Sequence, residues 1–172
     1  MVSRMNAELS NNLGNLAQRT LSQIAKNCDA KVPQPGAFED VDKILLEKAG
    51  QALLTSVRAE FDKLQFHRAI EEIITVSSAA NVYIDEQAPW TLKKTNPERM
   101  ATVLYVLAEV IRNLALIMQP FTPQASQKML DQVAVAAGAR DLSFMGGRHA
   151  LKAGTSLPKP EGAFPRYVEA AA

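Results

Sequence analysis

The sequence predicts an all-α protein, a bundle of about five helices with a docked, irregular C-terminal tail. Three observations predict it. Apolar residues recur at helical period almost without interruption up to about residue 137. Proline-rich breaker runs, KVPQPGAFED, APW, TNP and QPFTPQ, cut this pattern into helix-length pieces. No stretch alternates with the period of a strand.

The first helix is read from the stripe Leu9, Leu13, Leu16, Thr20 and Ile24. Glu39 or Asp40 opens the second, with Val41, Ile44, Leu45, Ala49, Ala52, Leu53 and Val57 as the buried face. The third starts near Phe66 and buries Phe66, Ala69, Ile70, Ile73, Ile74, Ser77, Ala80 and Ile84. It stops before APW, because the residue preceding a proline is pushed out of the helical region. Asn96 as N-cap, Pro97 at the first position and Glu98 in the first turn then open the fourth helix. Its stripe, Met100, Val103, Leu104, Leu107, Val110, Ile111, Leu114 and Ile117, is the longest in the chain. Thr122 and Pro123 start the fifth, through Met129, Leu130 and Val133. Residues 1–137 form the expected bundle and 138–172 a tail, in which Phe144, Leu157 and Phe164 are candidates to dock.

Composition narrows the function. Of 172 residues, 47% are apolar and 22% charged, enough for a real core. The net charge of +1 gives no bulk attraction to nucleic acid or to an anionic membrane, so such binding needs a local patch. Cys28 is the single cysteine, and it forms no metal-ligand spacing with His67 or His149. The polar start, MVSRMNAELSNN, has no signal-peptide core, and no apolar run suggests a span of about 20 residues. These features predict a cytoplasmic chain without membrane contact.

Catalytic patterns do not emerge. Nucleophile elbow, phosphate-cradling glycine loop and metal cluster are all missing from the sequence. Glu71 with Glu72, and Asp85 with Glu86, are adjacent carboxylates that point about 100° apart on a helix, as a solvated face would. His67 reads as a surface histidine.

Two constellations suit binding. On the wheel of the first helix, Asn15 and Arg19 lie at about 240° and 280°, opposite the leucine stripe. Four residues apart, they are outward neighbours. An amide beside a planar cation suits the edge of an unpaired base or a phosphate, and it equally suits an ordinary polar face. Trp90, the only tryptophan, follows Pro89 at a helix break, with Lys93, Lys94 and Arg99 beyond it. That is the composition of a stacking platform for single-stranded bases, and also of a core plug or helix staple.

The segments NNLGNLAQR, AANVYIDEQAPWTLKK, VLYVLAEVIRNLALIMQPFTPQAS and FPRYVE resemble the anticodon-binding helical domain of bacterial methionyl-tRNA synthetases, class I aminoacyl-tRNA synthetases. The resemblance covers nearly the whole chain, and the phrase N-x-Y-I-x(4)-A-P-W-x-L is its most specific part. It implies that Trp90 behind Pro89 stacks on an anticodon base and that Asn15 and Arg19 read the CAU anticodon of methionine tRNA. Lys93 and Lys94 are the candidate phosphate contacts. The H-x-G-H and K-M-S-K-S motifs of the family do not occur. The resemblance therefore implies a tRNA-binding part of methionine–tRNA ligase, inactive alone. ATP and methionine would bind an absent catalytic domain, and no cofactor or metal is expected in this chain. It further implies a monomer, and a tail that loosens after about residue 138 when the catalytic half is missing. The competing expectation is a free-standing helical protein-interaction module, with Trp90 as an interface anchor.

Overall fold

The computed structural model describes residues 12–163. Among the described residues seven α-helices run in order: α1 (Asn15–Asn27), α2 (Asp40–Glu47), α3 (Leu53–Asp62), α4 (Phe66–Gln87), α5 (Pro89–Thr95), α6 (Pro97–Met118) and α7 (Pro123–Gln132). Among the described residues no strand forms; one isolated antiparallel bridge joins Lys31 to Ser156.

All five predicted helices are present. The second is bent, because α2 and α3 are joined by a π turn, Lys48–Ala52, that kinks at Gly50 (φ −94°, ψ −121°). The break expected between Ala88 and Asn96 instead holds the short helix α5. Leu9 and Phe164, assigned to the first stripe and to the docked tail, lie outside the described residues.

Helix α6 is the centre of the bundle. Every residue from Thr102 to Met118 is buried, among α1, α2, α4, α5 and α7. By length and composition this helix could cross a bilayer, yet 94% of its apolar window lies inside the bundle. That differs from the sequence expectation that no run approaches such a length. The stripes of α1 and α6 pack as read, with Leu13, Leu16, Thr20 and Ile24 fully buried.

Other positions of the predicted faces depart. Val41, Ile44 and Ala52 are exposed, and so is Phe66. In α2 the cause is Asp42, which is fully buried and turns its own face of the helix inward. Its carboxylate accepts from the Tyr83 hydroxyl (2.6 Å) and from both terminal nitrogens of Arg99 (2.5 and 2.9 Å). It also accepts from the Glu39 amide, completing a capping box that starts α2.

Over its described part the tail packs on the bundle. Arg112 and Glu109, both buried in α6, pair at 2.9 Å. Arg112 donates onward to the carbonyls of Phe144 (2.7 Å) and Gly146 (3.0 Å). Asn113 accepts from the Gly146 amide, and Glu109 from the Leu151 amide. Val32 and Gly154 complete the seam with the bonds Val32 N–H to Thr155 (2.8 Å) and Gly154 N–H to Val32 (2.8 Å). A buried ion pair is costly unless its remaining hydrogen-bonding capacity is filled. Here the tail backbone fills it.

Candidate nucleic-acid interface

Helix α4 ends at Ala88, whose backbone is left-handed (φ 40°, ψ 61°). Its N–H still closes on Ile84 (3.1 Å), and its carbonyl accepts from the Thr91 amide (2.9 Å) and hydroxyl (2.8 Å). Pro89 is buried and takes the first position of α5, where a missing N–H costs nothing. A left-handed alanine is strained by about 1–2 kcal/mol. The surrounding corner holds it, and the turn projects Trp90, the next residue, outward with 43% of its surface exposed.

The corner is braced from below. Arg99 donates to Gln87 (2.6 Å), the last residue of α4, while its two other bonds run to Asp42. Arg99 was grouped with Lys93 and Lys94 as a cation beside Trp90. The structure removes it from that group, since its side chain is 10% exposed and committed to Asp42. Burial raises the Asp42 carboxyl, but the bonds from Arg99, Tyr83 and Glu39 outweigh it and hold the group below its usual range. Burial and the bond to Asp42 push the Tyr83 phenol far up.

Arg19 reaches this corner from α1. Its guanidinium carbon lies 5.4 Å from the centre of the Trp90 ring, and its Nη2 is 2.6 Å from Asp85 of α4. Asn15 is exposed one turn earlier on the same face of α1. Thus Arg19 meets Trp90 at one end of the bundle, although the two lie far apart in sequence, and Asn15 lies one turn back on α1. Lys93 and Lys94 lie exposed in the last turn of α5.

Asn12 fixes the approach of α1. Its side chain donates to Ser78 (2.9 Å) and accepts from Ser77 (2.9 Å) and Asn81 (2.7 Å). The sequence reading passed over Asn12, Asn81, Asp42 and Tyr83. The spacing of Glu39 and Asp42 carries a capping-box signal, but nothing marks the long-range partners.

The site has the makings of a base-binding surface: an aromatic face, a planar cation, an amide and two lysines, with the Asp85 carboxylate joined to Arg19. Comparison with known proteins gives the family. A family profile described as the anticodon binding domain of methionyl tRNA ligase matches residues 32–171, well over half of the chain. The chain belongs to this family.

Among curated relatives of this anticodon-binding domain, the methionine–tRNA ligase of Brucella suis biovar 1 is 51% identical over 170 residues, spanning 99% of this chain and 33% of the relative. That of Mycobacterium bovis is 46% identical over 171 residues, spanning 97% of this chain and 32% of the relative. The apo methionyl-tRNA synthetase of Mycobacterium tuberculosis superposes with a TM-score of 0.93 at 44% identity, covering 98% of this chain and 34% of that one. The same enzyme with bound methionyl-adenylate gives 0.91 at 44% identity, covering 95% and 33%. The anticodon-binding domain thus spans about a third of the length of the curated relatives it matches. Asn15 and Arg19 precede the residues matched by the family profile but lie where the curated relatives align over nearly the whole chain.

Proposed function

We propose that this chain reads the CAU anticodon of methionine tRNA as the tRNA-binding part of a methionine–tRNA ligase. The observation that carries the reading is the half-exposed ring of Trp90 at a braced corner, with Arg19 against it and Asn15 one turn away. Single-stranded loops are recognised by splaying bases onto aromatic faces and bonding their edges. Trp90 supplies the face, and a stacked base is worth about 1–3 kcal/mol. Asn15 and Arg19 supply donors and an acceptor for base edges, and Lys93 and Lys94 screen nearby phosphates. Pro89 and Ala88 keep the indole outward at no ordering cost on binding.

Arg19 lies against the ring in the free protein. A base that takes that face displaces the guanidinium, which turns to the base edge or to a phosphate while Asp85 holds its other side. ATP and methionine fall to the two thirds of the relatives' length that this chain does not span. The reading is tested by comparing Trp90→Ala with the unchanged chain for binding to a CAU stem-loop. A loss of tenfold or more with unchanged helicity supports it; full affinity in the variant overturns it.

A further inference from the structure

The kink between α2 and α3 and the docked tail enclose a second polar site, remote from Trp90 in the chain. A cavity of about 480 Å³ lies between them, a volume typical of small-molecule sites. One wall is the π turn, from which Gln51 reaches the Met145 carbonyl (2.9 Å). The facing wall is residues 143–149 of the tail. The two walls fit closely. Gly50 leaves helical geometry where it meets Gly146, and a β-carbon on Gly50 would lie 3.4 Å from the Gly146 α-carbon. Gly146 itself holds φ 88°, which glycine adopts without strain. Turns of π type inside helices occur frequently at functional sites, and this one carries a cavity.

The polar lining is one-sided. Its carbonyls are filled: Met145 accepts from Gln51, Gly146 from Arg112 (3.0 Å) and the His149 amide (3.3 Å), and Gly147 from the Ala150 amide (3.3 Å). The Ser143 hydroxyl is spent on Asp141. Donors remain. Arg148 is exposed, and among the described residues no carboxylate pairs with it. His149 is exposed beside it, with its ring 4.8 Å from that of Phe144. Gln51 keeps a second amide N–H. Arg112 beneath the floor adds no net charge, because Glu109 neutralises it at 2.9 Å. The nearby Asp141 carboxylate is occupied by the amide and hydroxyl of Ser143.

We propose that this cavity binds a phosphate group, carried by a free phosphate ester or by an RNA backbone. The fork of Arg148 matches two phosphate oxygens. The donors stand on two facing walls, Gln51 on one and Arg148 with His149 on the other. A tetrahedral anion sends oxygens to both walls, whereas a planar carboxylate serves one. With a net charge of +1 the chain has no bulk attraction for anions, so the binding is local. The proposal rests on this cavity and not on the anticodon reading.

The test is a titration of the 15N-labelled chain with sodium phosphate, and with sodium chloride at equal ionic strength, following amide shifts. Phosphate is expected to move Gly147, Arg148, His149 and the Gln51 side-chain amide saturably, with Lys93 and Lys94 moved no more than by chloride. Arg148→Gln, at an exposed position, is expected to weaken this binding tenfold or more with the remaining spectrum unchanged. A hairpin RNA without CAU separates the two sources. Saturation by inorganic phosphate assigns a free ester. Saturation of the same amides by the hairpin alone, lost in Arg148→Gln, assigns an RNA backbone. Shifts no larger than those with chloride for both probes overturn the proposal. Equal shifts at Lys93 and Lys94, or unchanged binding in Arg148→Gln, overturn it too.

Discussion

Arg19 lies over the ring of Trp90, 5.4 Å from its centre, while its other face is held 2.6 Å from Asp85. One cation thus joins α1, α4 and α5 at the end of the bundle. Arg19→Lys keeps the charge but loses the planar stack and the fork. Because Arg19 and Asp85 are both substantially exposed, the stability change should stay within about 0.5 kcal/mol. Binding to a CAU stem-loop should weaken by about 1–3 kcal/mol, with discrimination relaxed at one base. Competition binding with single-base variants of the loop checks both effects.

The Asp42–Arg99 pair is a structural brace. Asp42→Ala takes from Arg99 its nearest carboxylate, leaving Gln87 (2.6 Å) and the longer contact to Glu39 (3.4 Å), and should destabilise the fold by about 3 kcal/mol. Tyr83→Phe removes one bond to the same carboxylate and should cost about 1–2 kcal/mol. The double variant should cost less than the sum, since both act on one network. Urea unfolding of the two single variants and the double variant measures the coupling.

This brace also sets a pH dependence. The folded Asp42 carboxyl is held below its usual value, so the unfolded chain binds protons more readily. Its contribution is complete above the ordinary carboxylate pKa of about 3.9 and is lost as pH falls through the lower folded value. Between about pH 5 and pH 3 the urea midpoint should fall less steeply in Asp42→Asn than in the unchanged chain. Parallel slopes would remove Asp42 from the account.

Helix α7 ends on a left-handed alanine. Ala134 (φ 56°) is exposed, with its N–H bonded to Asp131 and the next N–H to Leu130. Ala134→Gly should stabilise the protein by about 0.5–1 kcal/mol, read as a raised urea midpoint with unchanged slope.

Tail docking turns on Gly146. It has φ +88°, and an added Cβ would come within 3.1 Å of the Gln51 amide. Gly146→Val should release residues 144–151 and leave Glu109 and Arg112 without their backbone partners. Hydrogen exchange should then show lost protection at the Leu151 amide, while the α4 and α6 amides stay protected.

The helices were legible because apolar residues recur at helical period in α1 and α6, although α6 is buried on all sides from Thr102 to Met118, and because Asn96, Pro97 and Glu98 mark a helix start in three residues. The face of α2 was misread since hydropathy assigns Val41 and Ile44 inward. It is silent about a carboxylate whose partners, Tyr83 and Arg99, lie 41 and 57 residues away. Helix α5 was read as a break for a related reason. Proline next to a left-handed Ala88 ends one helix and begins another in the same step. The outward placement of Asn15 and Arg19 followed from the wheel. The meeting of Arg19 with Trp90 required the α4–α5 corner, which no local pattern in the sequence encodes.

The most direct measurement is a titration of the chain with a CAU anticodon stem-loop, and with a GAU loop as control, following Trp90 emission. The account predicts saturable quenching by CAU and much weaker binding of GAU. Equal binding of the two loops, or binding without any change in emission, would contradict it.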